Sequence, residues 1–213
     1  MSLVPKHIKN LSPYKPGKTI ESVKKQYNLD KIIKLASNEN PIGPSLKSIS
    51  AAVDVLDSSH RYPDASGLDL REKLADQFNV RTDNVILGSG SEGIMSSIMR
   101  TFLRENDELI SAENSFIGFR VLANASGKKV NWIPKKEYKY DLVSIVNAIN
   151  QNTKIIYIAN PDNPTGTYIN KDEFDSFMLK VPERVLVILD EAYFEYAQNT
   201  IDYPDSMVYR YDN

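Results

Sequence analysis

Between residues 85 and 190 the chain switches repeatedly between short apolar runs of strand length and segments whose apolar residues recur at helical spacing. The runs are Val85-Ile-Leu87, Glu108 to Ser111, Val130 to Ile133, Lys154 to Ala159 and Val185 to Leu189. Between them, Ile94, Ile98 and Phe102 stand four apart, and Phe116 to Ala125 reads as a helix. Leu142, Ile145, Val146 and Ile149 fall at i, i+3, i+4 and i+7, and Asn170 with Glu173 marks a helix start before Phe174, Phe177 and Met178. Strands separated by helices predict an α/β fold, a mainly parallel sheet with flanking helices and right-handed crossovers. Upstream, Ser66 with Asp69 has the form of a capping box, followed by Leu70, Leu74, Ala75 and Phe78 on one helical face. Residues 1 to 36 stand outside the alternation. Prolines break Leu11 to Gly17, so this stretch is predicted to be an arm with a short helix near Ser22 to Tyr27, lying on something else such as a second subunit.

Composition narrows the function classes. With 213 residues, 41% apolar and 25% charged, the chain has material for one large domain or two small ones. A net charge of −2 lacks the basic footprint of a nucleic-acid binder. The absence of cysteine removes disulfides, cysteine zinc sites and thiol nucleophiles, and two histidines, His7 and His60, are too few for most histidine metal sites, so no metal is expected. No apolar run approaches the roughly 18 residues of a membrane span. Met1 to Pro16 is polar and basic without an apolar signal core, and the expectation is a soluble cytoplasmic protein with neither membrane nor nucleic-acid partner.

In parallel sheets, ligands bind outside the carboxyl ends of the strands. Three polar clusters fall there: Gly88-Ser-Gly-Ser-Glu-Gly93, Asn160-Pro-Asp-Asn-Pro-Thr-Gly166 and Asp190-Glu-Ala-Tyr193. A glycine-serine turn feeding a helix offers backbone N–H groups and the positive end of a helix dipole, which suits a phosphate; alone it is equally an ordinary tight turn. A carboxylate ending an apolar strand needs a cation or donors; alone, such an aspartate is more commonly a salt bridge or a cap than part of a ligand site. The proline-rich loop alone is a stiff turn.

Together the clusters are more specific. Ser12-Pro-Tyr14, Lys34-Leu-Ala-Ser-Asn-Glu-Asn-Pro41, Arg61-Tyr-Pro-Asp64, Gly88 to Gly93, Asn160 to Gly166 and Asp190-Glu-Ala-Tyr193 occur in an order that resembles the fold-type I pyridoxal-phosphate enzymes. Within them the pattern is similar to the class I/II aminotransferases, the histidinol-phosphate aminotransferases in particular. The resemblance implies an arm at 1–36 and a large cofactor-binding domain at 37–213. It implies that Asp190 pairs with the protonated pyridine nitrogen of pyridoxal 5'-phosphate, and that Asn163 and Tyr193 hydrogen-bond the phenolic oxygen. Asp190 and Tyr193 are the catalytic residues so implied. Gly90, Ser91 and Glu92 match the phosphate-binding helix start. Phe116 stands at the aromatic position that stacks on the ring, where many relatives have tyrosine. Tyr62 matches a tyrosine that reaches the cofactor phosphate of a neighbouring subunit, which implies a homodimer with a shared site. Tyr14 and Asn38 match residues on the substrate side. The implied substrate is a small amino-acid-like molecule. The implied reaction interconverts L-histidinol phosphate with 2-oxoglutarate and imidazole-acetol phosphate with L-glutamate, in histidine biosynthesis.

One departure matters. In this family the lysine that holds the cofactor as a Schiff base lies in a serine-lysine motif beyond the Asp-Glu-Ala-Tyr segment, whereas the last lysine here is Lys180. The arginine that follows it, the small C-terminal domain and the arginine there for the substrate carboxylate are absent with it. The chain is therefore expected to be the N-terminal part of an aminotransferase, its large domain incomplete. The family's sheet order places two missing strands between Val85 and the rest of the sheet, so exposed apolar faces and unpaired edges are expected. Aromatic aminotransferases and threonine-phosphate decarboxylases share much of the pattern, and a non-catalytic remnant that binds cofactor without turnover is a further alternative. A P-loop hydrolase based on Gly17-Lys18-Thr19 fails, because position 12 is Ser12 rather than glycine and Lys6 to Leu11 is not strand-like.

Overall fold

The fold is described from a computed structural model for residues 2–12 and 17–208; Tyr14 lies outside the described residues. The described residues group into two compact units, one of Met1–Leu11 with Leu70–Asn213 and the other of Ser12–Asp69.

The smaller unit carries α2 (Ile20–Tyr27) and α3 (Leu46–Asp54). Each begins at a hydroxyl that accepts a backbone N–H three residues on, Thr19 from Ser22 and Ser45 from Ser48. No described side chain of this unit is buried.

The larger unit carries α1 (Lys6–Lys9), most of α4 (Leu68–Phe78), α5 (Gly90–Phe102), α6 (Ile117–Ala125), α7 (Leu142–Asn147), α8 (Lys171–Met178) and α9 (Phe194–Ala197). Its sheet contains β1 (Glu108–Ala112), β2 (Lys129–Ile133), β3 (Thr153–Ala159) and β4 (Leu186–Asp190), in the order β2-β1-β3-β4 with every pair parallel. Alternate side chains serve opposite faces. Ile110 and Ala112 of β1 and Ile156 and Ile158 of β3 pack with Ile145 of α7 and with Phe174 and Phe177 of α8. Leu109, Ile155, Tyr157 and Ala159 pack with Met95 and Met99 of α5 and with Phe119 and Ala123 of α6. The sheet is covered on both faces, which is why β1 is buried along its whole length and β3 is apolar from Ile155 to Ala159. Each fully buried isoleucine or leucine here contributes roughly 1.5–3 kcal/mol relative to exposure.

Helix starts follow the sequence with one exception. Asn170 and Glu173 form the expected reciprocal capping box at α8. Ser66 and Asp69 do not form theirs. Asp64 instead accepts Ser66 N at 3.2 Å, Ser66 Oγ at 2.5 Å and Leu68 N at 3.0 Å, so the carboxylate two residues upstream holds the entry to α4. Those bonds, the Ser66 hydroxyl first, lower the Asp64 pKa to about 2.

The apolar run Val85-Ile-Leu87 is also corrected. It is not a strand, and Ile86 is largely exposed. A strand needs a neighbour to satisfy its backbone, and the four-stranded ladder does not include it. The Arg71 side chain serves it instead, donating from Nε to Val85 O and from Nη2 to Thr82 O, both at 2.9 Å.

Candidate active site

The carboxyl ends of β1, β2, β3 and β4 open on one side of the sheet, and each feeds a loop rich in polar groups. Asp190 is the last residue of β4 and half-buried. Its Oδ2 accepts the Tyr157 hydroxyl at 2.6 Å and its Oδ1 accepts Ala192 N at 3.2 Å. Tyr157 comes from the middle of β3, is fully buried, and stacks on Phe119 with ring centroids 3.9 Å apart and planes 9° from parallel. Burial, and then the Asp190 carboxylate, push the Tyr157 hydroxyl far above its ordinary value. It therefore stays protonated across working pH and remains a donor to Asp190.

The loop after β3 is tied down at its start by Asn160, a wholly buried residue. Its backbone N donates to Asp190 O at 2.9 Å, its Nδ2 donates to Ile169 O at 3.2 Å and its Oδ1 accepts Ile169 N at 2.8 Å. Three residues on, Asn163 Nδ2 donates to the Tyr193 hydroxyl at 3.3 Å. The ends of β3 and β4 thus bring together three of the residues singled out by sequence: Asn163, Asp190 and Tyr193. Glu191, beside Asp190, is raised above the usual carboxylate range by burial; it accepts the hydroxyls of Tyr203 and Ser206.

A second grouping forms at the start of α5. Gly90 adopts φ +69, a left-handed conformation that favours glycine, and no side chain caps the helix. Gly90 N donates to Gly88 O at 2.8 Å, which leaves the N–H groups after it in the first turn of this 13-residue helix to an external acceptor or water. Ser91 and Glu92 are exposed in this first turn. Phe116 immediately precedes α6, and its ring folds back over Gly118: a Cβ there would stand 2.6 Å from the ring and 3.2 Å from Glu92 Oε1. Gly118 is thus what leaves room for both the Phe116 ring and the Glu92 carboxylate beside the start of α6, and the sequence reading missed it. In the smaller unit, Tyr62 is fully exposed and Asn38 sits at φ 52 in a turn.

Sequence reasoning gave no individual role to Tyr157, Asn160 or the partners of Asp162. Those partners are Ser115 after β1, Lys135 after β2 and Thr165 within the loop. Among the described residues no three His, Cys, Asp or Glu side chains are grouped to hold a metal ion, and no helix is long and apolar enough to cross a membrane.

The parallel sheet, covered by helices on both faces and opening on a carboxylate at the end of β4, defines an α/β protein with the fold-type I architecture of pyridoxal-phosphate aminotransferases. It superposes on histidinol-phosphate aminotransferase from Sinorhizobium meliloti, solved with pyridoxal-5'-phosphate, at a TM-score of 0.80 and 24% identity, over 92% of this chain and 52% of that one. Aspartate aminotransferase from Thermotoga maritima gives 0.76 at 19% identity, over 96% and 58%. In sequence, a histidinol-phosphate aminotransferase of Geobacillus sp. (strain WCH70) is 43% identical over 208 residues, 97% of this chain and 57% of that protein. A second, from Pseudomonas fluorescens (strain Pf0-1), is 40% identical over 209 residues, 97% and 56%. The chain thus spans about half the length of the curated relatives it matches. The family model for aminotransferase class I and II matches residues 30–210, and the chain belongs to that family.

Proposed function

We propose that the chain is the cofactor-binding part of an aminotransferase that uses pyridoxal 5'-phosphate to interconvert L-histidinol phosphate with 2-oxoglutarate and imidazole-acetol phosphate with L-glutamate, in histidine biosynthesis. The observation that carries this reading is the pairing at neighbouring strand ends: Asp190 held by Tyr157, and Asn163 bonded to Tyr193. The donor set fits the group. An ionised carboxylate has about four lone-pair sites, and the two contacts above leave Asp190 room for the N–H of a pyridinium ring. Asn163 and Tyr193 offer hydrogen-bonding atoms close enough to share one phenolic oxygen. The uncapped start of α5, where Ser91 and Glu92 follow the turn at Gly90, suits a dianionic phosphate through the N–H groups after Gly90 and the helix dipole. Phe116, beside Glu92, supplies an aromatic face for the ring.

When bound, the cofactor supplies an electron sink for the substrate carbon. The chain's own residues orient it. Asp190 keeps the ring nitrogen protonated by placing a negative charge against it, and Tyr157 holds that carboxylate in one rotamer. Tyr193 and Asn163 hold the phenolic oxygen by hydrogen bonds. Tyr62 reaches the phosphate of a second subunit in a cytoplasmic homodimer, and Tyr14 and Asn38 serve the substrate. On this reading residues 1–36 are an arm and 37–213 the large domain.

Thermal unfolding with ligands tests the reading. Pyridoxal 5'-phosphate is expected to raise the melting temperature of the chain, and L-histidinol phosphate to raise it further, while O-phospho-L-threonine and L-phenylalanine do not. No shift with the cofactor contradicts the cofactor site. A larger further shift with phosphothreonine or phenylalanine than with histidinol phosphate contradicts the substrate.

A further inference from the structure

Asp162 precedes Asn163 and is wholly buried, yet none of the cofactor roles above uses it. Its Oδ1 accepts Ser115 Oγ at 2.8 Å. Its Oδ2 accepts Lys135 Nζ at 2.5 Å, Thr165 Oγ1 at 2.7 Å and Thr165 N at 3.3 Å. The Lys135 side chain is only 9% exposed. It also donates to Asn114 O at 3.1 Å and lies 5.4 Å from the centre of the Tyr140 ring.

Proton counting fixes the direction of the hydroxyls. Ser115 has one proton, given to Asp162, so in its 2.5 Å contact with the Tyr140 hydroxyl the tyrosine is the donor. The Tyr140 oxygen in turn accepts Ala159 N at 3.0 Å. A polarised relay therefore runs from the last residue of β3 through Tyr140 and Ser115 to Asp162, and Lys135 neutralises its end. Burial pushes the Tyr140 hydroxyl well above its ordinary value, so it remains a donor at working pH. The members come from the loops after β1, β2 and β3, so the network ties three crossovers to the residue next to Asn163. A buried network of this kind is stiff when every member is satisfied and costly when one is removed.

We propose that the buried Lys135–Asp162 ion pair, with Ser115 and Tyr140, is a positioning device that fixes the loop carrying Asn163 in its cofactor-binding geometry before any cofactor arrives. The inference rests on the function proposed above for Asn163. The titratable groups facing Asp162 are Lys135 and Tyr140 in the network, with Tyr157 and Asp190 close enough for their charges to act on Tyr140 or on each other. None of these replaces the cation of Lys135. Without it, the buried carboxylate keeps its hydroxyl and amide donors but has no cation against it.

The test compares the chain with its Lys135→Met, Asp162→Asn and Lys135→Met/Asp162→Asn variants. The double variant is the neutral counterpart of the pair. Its asparagine can keep Ser115 as a donor to Oδ1 and give its amide to Thr165 Oγ1, which passes its own proton to Thr167 Oγ1 2.8 Å away. Two readouts are used. One is hydrogen exchange at the amides of Asp162 and Gly166, whose bonds to Thr167 O and Asp162 O close the loop at 2.8 Å. Amides of β1 serve as the control for global unfolding. The other readout is the dissociation constant for pyridoxamine 5'-phosphate, which shares the ring and phosphate but has no aldehyde to react with surface lysines.

At pH 8, Lys135→Met is expected to raise both loop exchange and the dissociation constant roughly tenfold or more relative to the parent. The double variant, which has neither an unpaired charge nor the ion pair, is expected to keep parental exchange in β1 while its loop exchange and dissociation constant stay several-fold above the parent. Parental values of both readouts in either Lys135→Met or the double variant overturn the proposal. If the parent chain fails to bind pyridoxamine 5'-phosphate, the cofactor reading fails, and loop exchange alone decides whether the pair clamps the loop. Should Lys135→Met not fold, exchange and binding in the double variant still decide the matter.

Discussion

Tyr157 gives its only proton to Asp190 from within the sheet core, and the same ring stacks on Phe119. Tyr157→Phe keeps the stack and removes the bond to a charged acceptor. It is expected to lower the unfolding free energy by about 1.5–3 kcal/mol at neutral pH, measured by urea denaturation. An unchanged midpoint would mean that water replaces the hydroxyl without loss. Asp190, Asn163 and Tyr193 were legible in the sequence because their motifs are local runs of chain. Tyr157 was not, because its partner is 33 residues away and nothing in a buried strand residue announces a polar role. Lys135 was hidden in the same way, 27 residues from Asp162 in a stretch that reads as an ordinary charged turn.

At the scale of elements, α7 depends on one side chain. Asp141 accepts Ser144 N at 3.0 Å and Ser144 Oγ at 2.8 Å, and these bonds, the backbone one first, hold its carboxyl below the usual range. Asp141→Ala is expected to cost about 1 kcal/mol at neutral pH. Because the folded carboxyl titrates below the unfolded one, its contribution is complete above about pH 4 and disappears as the pH falls through the folded value. The difference in urea midpoint between parent and variant should therefore close in acid; a gap that persists there would point to lost packing instead. The capping box of α8 was readable because both members sit within one turn. The entry to α4 was misread because Asp64, outside the expected box, takes both the Ser66 N–H and the Ser66 hydroxyl that the box would use. Val85 to Leu87 reads as a strand by its residues, but strand formation is a property of the neighbour as well, and four paired strands account for the whole ladder.

For the whole molecule, burial is distributed unevenly. The sheet unit holds two apolar clusters, one on each face, whereas Ser12–Asp69 buries no described side chain. Local opening follows buried contacts. Limited proteolysis of the chain is therefore expected to cut first within residues 12–69 and to leave the sheet unit from Leu70 onward; initial cuts between β1 and β4 would contradict that distribution. The alternation of strand and helix made the sheet legible from sequence, whereas the division at Asp69 was not, because exposed apolar residues such as Leu35, Ile42 and Leu46 look no different in sequence from core residues. The central claim is that the ends of β3 and β4 form a cofactor site built around Asp190. Equilibrium dialysis of the chain and its Asp190→Ala variant against pyridoxamine 5'-phosphate tests it most directly. Saturable binding of about one molecule per chain, weakened roughly tenfold or more in the variant as expected for a lost charge-assisted bond, is the predicted result. No saturable binding, or equal affinity in the two proteins, would contradict it.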